Sequence, residues 1–259
     1  MTTTADQIVS LLRPAAPANQ FVQAEVDLID RLAASWDGRR VPAGAAPIAM
    51  IGLSPQDFAA AAKRLGCSVA QIRAVDEVES QGGWFKDVRA DILALDGPGG
   101  FIDGPHLPKI LFEAHIFDRQ TEGRFRKSHP NLSSAKWNRA LYVGGQGEWN
   151  RLYRAMQLAP RAALMSASVG RYQIMGFNHK LAGFDTVEGF WDAMKRSERD
   201  HLDAFVAFIE SKKLQSALRA ISNVHADNIA FALGYNGLGY ARNGYHIKIA
   251  KAHAKWISR

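Results

Sequence analysis

A single cysteine, Cys67, stands in a chain of 259 residues. One thiol excludes an intramolecular disulfide and any zinc site built on cysteines, so Cys67 reads as a small core residue beside a helix start. No apolar run reaches the ~18 residues of a membrane span, and no stable membrane insertion is expected. The opening MTTTADQIVSLLRPAAPANQ lacks a basic segment leading into an unbroken apolar one. No secretory signal is therefore expected, and the chain should be made in the cytoplasm and reach any outside target by another route. Eight histidines are present, but none falls in an H-E-x-x-H or other close ligand set, so neither a metal nor a cofactor is expected. Dense basic stripes are missing too. The 32 Lys and Arg against 25 Asp and Glu give +7, yet only GRFRKSH from Gly123 and KRSERDH from Lys195 cluster, and only briefly. Such a balance favours polyanionic surfaces in general, without the footprint of a nucleic-acid module.

With 47% hydrophobic and 22% charged residues, the composition is that of a globular protein able to bury a core. Residues 1–50 differ from the rest. Pro14, Pro17, Pro42 and Pro47 bracket one amphipathic segment whose Val26, Ile29, Leu32 and Ala33 fall at helical spacing. That segment is too short for its own core and reads as an arm packing on a main domain over 51–259.

The main domain reads as mostly helical. Ser54-Pro55 starts a helix that stops at Gly66, and Ser68 caps a second one ending near Gly82-Gly83. DILALDGPGGFIDG, from Asp91 to Gly104, alternates around a Gly-Pro-Gly-Gly break and predicts a short hairpin. KILFEAHIF predicts a strand or a strand-to-helix junction. Further helices are predicted at 148–157, 160–166, 187–195, 198–211, 214–221, 225–234 and 245–257. The fold class is thus mainly α (α+β), with one small antiparallel hairpin or sheet.

The helix after Ser68 carries the most telling residue. Ile72, Val75 and Glu79 are spaced i, i+3, i+7, which puts a carboxylate on the apolar stripe and at the helix C-terminus. Both settings disfavour its charge, and a carboxyl kept protonated near neutral pH is what a glycosidase uses to protonate a leaving sugar oxygen. Glu77 points elsewhere, four residues after Arg73, where a surface ion pair is expected. Gly82 and Gly83 leave space for a polymer to approach. In KILFEAHIF, an extended chain would put Glu113 and His115 on one face, either orienting water or forming a structural pair. Asp96 and Asp103 are lesser candidates for a second carboxylate. Ser168 lacks a G-x-S-x-G elbow and is not read as a nucleophile.

VESQGGWF, ASVGRYQIMGFN and ALGYNGLGYARNGY occur in that order, joined by PKILFEAHIF from Pro108 and FNHKLAGF from Phe177. Together they make the chain from about 54 to 257 resemble the muramidase family of phage endolysins. That family is distantly similar to goose-type lysozymes and soluble lytic transglycosylases. The resemblance implies a lysozyme-like helical domain that hydrolyses the β-1,4 bond between N-acetylmuramic acid and N-acetylglucosamine in bacterial peptidoglycan, causing lysis. It implies Glu79 as the acid of the E-S-x-G turn and suggests Glu113 as second carboxylate, although a single essential Glu is compatible with the goose-type relatives. It places Ser80, Tyr172, Gln173, Tyr235, Asn236 and Tyr240 along the cleft. The amides of Gln173 and Asn236 suit N-acetyl and hydroxyl groups, and the tyrosines suit sugar faces or core packing equally. The protein is expected to act as a monomer on the cell wall. A lytic transglycosylase would cut the same bond to an anhydro product, and a binding-only protein would keep the scaffold without needing Glu79.

Overall fold

The structure is a computed structural model that describes residues 52–80, 83–85, 87–96, 100–102 and 107–258. These belong to one compact unit, Met50–Arg259. The arm expected over residues 1–50 lies outside the described residues.

Helix α1 (Pro55–Leu65) begins as its sequence dictates. The Ser54 side chain accepts from Asp57 N–H, and Asp57 reaches back to the Ser54 N–H. Gly66 ends it at φ 65°, a left-handed conformation open to glycine at little strain. Ser68 and Gln71 repeat the capping box at the start of α2 (Val69–Glu79). Helix α2 stops at Glu79, three residues before the expected glycines, because Ser80 turns to an extended backbone.

A short helical turn, α3 (Ala90–Leu93), corrects the hairpin expected from Asp91 to Gly104. Ile92 is buried, the Asp96 carboxylate accepts from Ile102 N–H at 2.9 Å, and no strand forms among the described residues of that stretch. The sheet is assembled from other segments. Strand β1 (Ile110–Phe112) runs directly into α4 (Ala114–Gln120), as KILFEAHIF predicted. After α5 (Gly147–Leu158) and α6 (Pro160–Met165) come β2 (Ala167–Val169) and β3 (Ile174–Met175), neither of which was expected as a strand. The order β1-β2-β3 is antiparallel, with Leu111 opposite Ser168 and Ser168 opposite Met175. The expected C-terminal helices appear as α7 (Val187–Arg196), α8 (Glu198–Ser211), α9 (Gln215–Arg219), α10 (Ile229–Asn236) and α11 (Tyr245–Ile257).

One continuous core joins these elements, with Phe58, Ile72, Val75, Phe112, Trp149, Trp191 and Phe205 all fully buried. Each such side chain contributes roughly 1.5–3 kcal/mol by leaving water. Both indoles keep a partner: Trp149 Nε1 donates to Pro108 O at 2.9 Å and Trp191 Nε1 to Leu164 O at 3.0 Å. Helix α11 packs along α2, so a C-terminal element covers the helix that ends in Glu79. Cys67 is partly buried beside α2, and burial pushes its thiol up to about 11.

Candidate active site

The stripe on α2 continues from buried Ile72 and Val75 to Glu79, the last helical residue, and Glu79 is partly buried. Tyr245, in the first turn of α11, is 7% exposed and donates its hydroxyl to Glu79 Oε1. Burial raises the Glu79 carboxyl from its ordinary 4.5 to about 7. The Tyr245 and Asn236 hydrogen bonds and the Lys248 charge pull it back only in part. The Tyr245 phenol is itself pushed well above its usual value, first by burial and then by the Glu79 charge, so it stays a donor.

Asp76, one turn earlier on the same helix, is also buried, at 4% exposed. It faces Arg171 in a two-pronged contact of 2.5 and 2.7 Å. Two carboxylates thus leave the same helix into the interior, and only Asp76 meets a guanidinium. Arg171 sits in the turn between β2 and β3 and also binds Glu198 at 3.0 and 3.1 Å. Glu198 accepts from Gly83 N–H at 3.0 Å. The network therefore ties the loop following Glu79 to the β2–β3 turn and to α8. His201 completes it: Nδ1 accepts from Arg171 N–H at 3.1 Å, which leaves Nε2–H to donate to Met194 O at 2.7 Å. Burial lowers the pKa of that ring and keeps it neutral. A Cβ at Gly83 would lie 2.8 Å from His201 Nδ1, so this glycine serves close packing, not the space for a polymer expected of it. Gly82 lies outside the described residues.

Glu113 occupies the joint between β1 and α4, at φ −101° and ψ 98°. Its backbone N–H donates to Ser166 O at 2.8 Å, which anchors the joint to the segment entering β2. The side chain caps no helix N–H and is free for other partners. Oε2 accepts from the Tyr142 hydroxyl at 2.7 Å and lies 3.2 Å from His115 Nδ1. The strand alternation expected to bring Glu113 and His115 together ends at Phe112, and the helical start at Ala114 makes the contact instead.

Glu79 and Glu113 line one cavity of about 340 Å³. Its walls include Ser168 and Met175 from the sheet, Gln173 from the β2–β3 turn, and Tyr235 and Asn236 from the end of α10. Asn236 is exposed and Tyr235 half-buried, with the Tyr235 hydroxyl donating to Tyr172 O at 2.9 Å. Gln173, at φ 48°, holds its own turn together. Its Nε2 donates to Lys109 O and Gly170 O, and its Oε1 accepts from Ser168 Oγ, leaving one lone pair for a ligand. Tyr172 borders the cavity as expected, but it is 1% exposed with its ring stacked on Phe205 at 4.4 Å, which is the core-packing alternative of the two left open for it. Ser80 and Tyr240 do not line the cavity. Ser80 N–H donates to Asp76 O at the helix end, and Tyr240 packs edge-on to His246. Asp96 does not line it either, and Asp103 lies outside the described residues. Glu77 is exposed and pairs with Lys255 at 2.8 Å and Trp256 Nε1 at 2.9 Å, whereas Arg73 lies over the Phe58 and Trp256 rings. The Arg73–Glu77 pair expected from spacing is thus replaced by contacts across to α11.

Sequence reasoning missed Tyr245, Tyr142, Arg171 and Glu198. Arg171 lies inside the quoted GRYQIM segment, and its burial required a carboxylate partner that spacing could not name. No group of three or more metal-ligating side chains converges among the described residues. No helix there is long and apolar enough to cross a membrane.

A family model described as N-acetylmuramidase matches residues 68–257. The crystal structure of an endolysin from Burkholderia AP3 phage is similar at 30% identity and a TM-score of 0.64, over 99% of this chain and 86% of that one. No curated protein matches.

Proposed function

Because this chain belongs to the N-acetylmuramidase family and is a glycoside hydrolase acting on peptidoglycan, we propose that Glu79 is its general acid and Glu113 its second carboxylate. The reaction is cleavage of the β-1,4 bond after N-acetylmuramic acid, in the manner of an endolysin lysing a cell. The observation that carries the residue roles is a carboxyl raised to about 7 on the same cavity as a second, hydrogen-bonded carboxylate.

Glu79 holds a proton near neutral pH because burial outweighs the pull of the Lys248 charge, and gives it to the glycosidic oxygen as the bond lengthens. Tyr245 and Asn236 then stabilise the carboxylate that forms, so the acid is released without leaving a bare buried charge. Glu113 acts on the opposite need, activating a water or steadying the oxocarbenium-like centre. Asn236 and the free lone pair of Gln173 orient N-acetyl or hydroxyl groups in the cavity. The protein works as a monomer, and its +7 charge assists approach to an anionic envelope.

The test is mass spectrometry of purified peptidoglycan digested by wild type and Glu79→Gln. A reducing muramic acid end from wild type and intact wall from the variant are expected. A product lighter by one water indicates transglycosylation, and a lytic Glu79→Gln protein refutes the acid assignment.

A further inference from the structure

Between α4 and α5 lies a short 3-10 turn, Arg139–Leu141, followed by Tyr142. Asn138 caps the turn by accepting from Ala140 N–H at 3.0 Å. Beyond it, Val143 and Gly144 N–H groups donate to the fully buried Glu148 at 2.9 and 3.0 Å, and Arg151 pairs with Glu148 at 2.7 Å. Tyr142 is therefore held from both sides. Its hydroxyl donates to Glu113 Oε2 and accepts from Trp137 Nε1, each at 2.7 Å. An indole N–H can only donate, so the phenol proton is directed at the carboxylate and the order Trp137 to Tyr142 to Glu113 is unambiguous. With Tyr142 and His115 both at Oε2, the other oxygen of Glu113 is the one left for the cleft. Trp137 is 52% exposed although its N–H is engaged, which leaves a flat apolar ring in water with its orientation set.

We propose that Trp137 is a sugar-stacking subsite that extends the cleft beyond the cavity, and that Tyr142 is the positioning residue linking it to Glu113. The second half rests on Glu113 being the second carboxylate of the reaction. A pyranose ring settling on Trp137 holds the indole in the pose that donates to Tyr142, so saccharide bound there favours the productive orientation of Glu113.

Five variants test this on purified peptidoglycan, with a soluble N-acetylglucosamine oligomer as binding probe read by tryptophan fluorescence. Trp137→Ala loses both ring and donor, so it should raise KM about tenfold, lower kcat as Trp137→Phe does, and remove most of the oligomer-induced quench. Trp137→Phe keeps a ring but no donor, so it should keep binding while losing part of kcat. Tyr142→Phe should lower kcat about tenfold with KM unchanged. In a Glu113→Gln background Tyr142→Phe should cause no further loss, since the two act through one group. An unchanged quench in Trp137→Ala overturns the subsite. Multiplying losses in the double variant overturn the positioning role. Full activity in Glu113→Gln removes the second-carboxylate assignment and the Tyr142 role with it, while the quench measurement still decides Trp137.

Discussion

Replacing Glu79 with Gln should make this protein more stable at pH 8 than the wild type while it loses activity. The carboxyl moves from an ordinary 4.5 to about 7 on folding, and burial is the main cause. Native structure therefore prefers the protonated form. Stability from this group is fully present below about pH 4.5 and is lost as pH rises through about 7, where the folded state is forced to hold a charge it shelters poorly. At about 1.4 kcal/mol per pH unit the whole loss is about 3 kcal/mol. Glutamine keeps the shape and the acceptor facing Tyr245 but never ionises, so it escapes that loss. The variant and wild type should match near pH 4, diverge between about 4.5 and 7, and level off above, a gap of roughly 6–12 °C in Tm for a domain of this size. Urea or thermal unfolding at matched ionic strength across that range measures it. A stability difference that does not vary with pH would refute the claim that the fold holds Glu79 protonated, whatever the variant's activity.

Tyr245→Phe removes a donor to the Glu79 carboxylate, so the alkaline limb of kcat against pH should move upward by about one pH unit. Arg171→Ala strands Asp76 and Glu198 inside the protein and should destabilise it by about 3–5 kcal/mol, read by urea unfolding. Glu77→Gln loses only an exposed pair with Lys255, and both stability and wall-clearing rate should stay close to wild type.

Much of the fold was legible because its signals are local. Ser54 with Asp57, Ser68 with Gln71 and glycine at 66 each act within a turn or two of the chain, and so do the helical stripes of α7, α8 and α11. The stripe Ile72, Val75, Glu79 is local as well, and it places an acid on a buried face before any tertiary contact is known. The sheet was misplaced because strands of two or three residues carry almost no periodicity. Alternation in 91–104 looked stronger than the Ala167–Val169 segment that actually pairs with Ile110–Phe112.

What the order of residues determined by itself was the set of helices, the caps that bound them and the face on which Glu79 leaves α2. Only the tertiary structure decided that Tyr245 and Asn236 would stand around that carboxyl, that Arg171 would take Asp76 instead, and that Tyr142 would meet Glu113. The difference is physical. Caps and stripes depend on neighbours a few positions apart, whereas a proton's affinity for a carboxyl depends on which charges, donors and water the folded chain brings to it from far along the sequence.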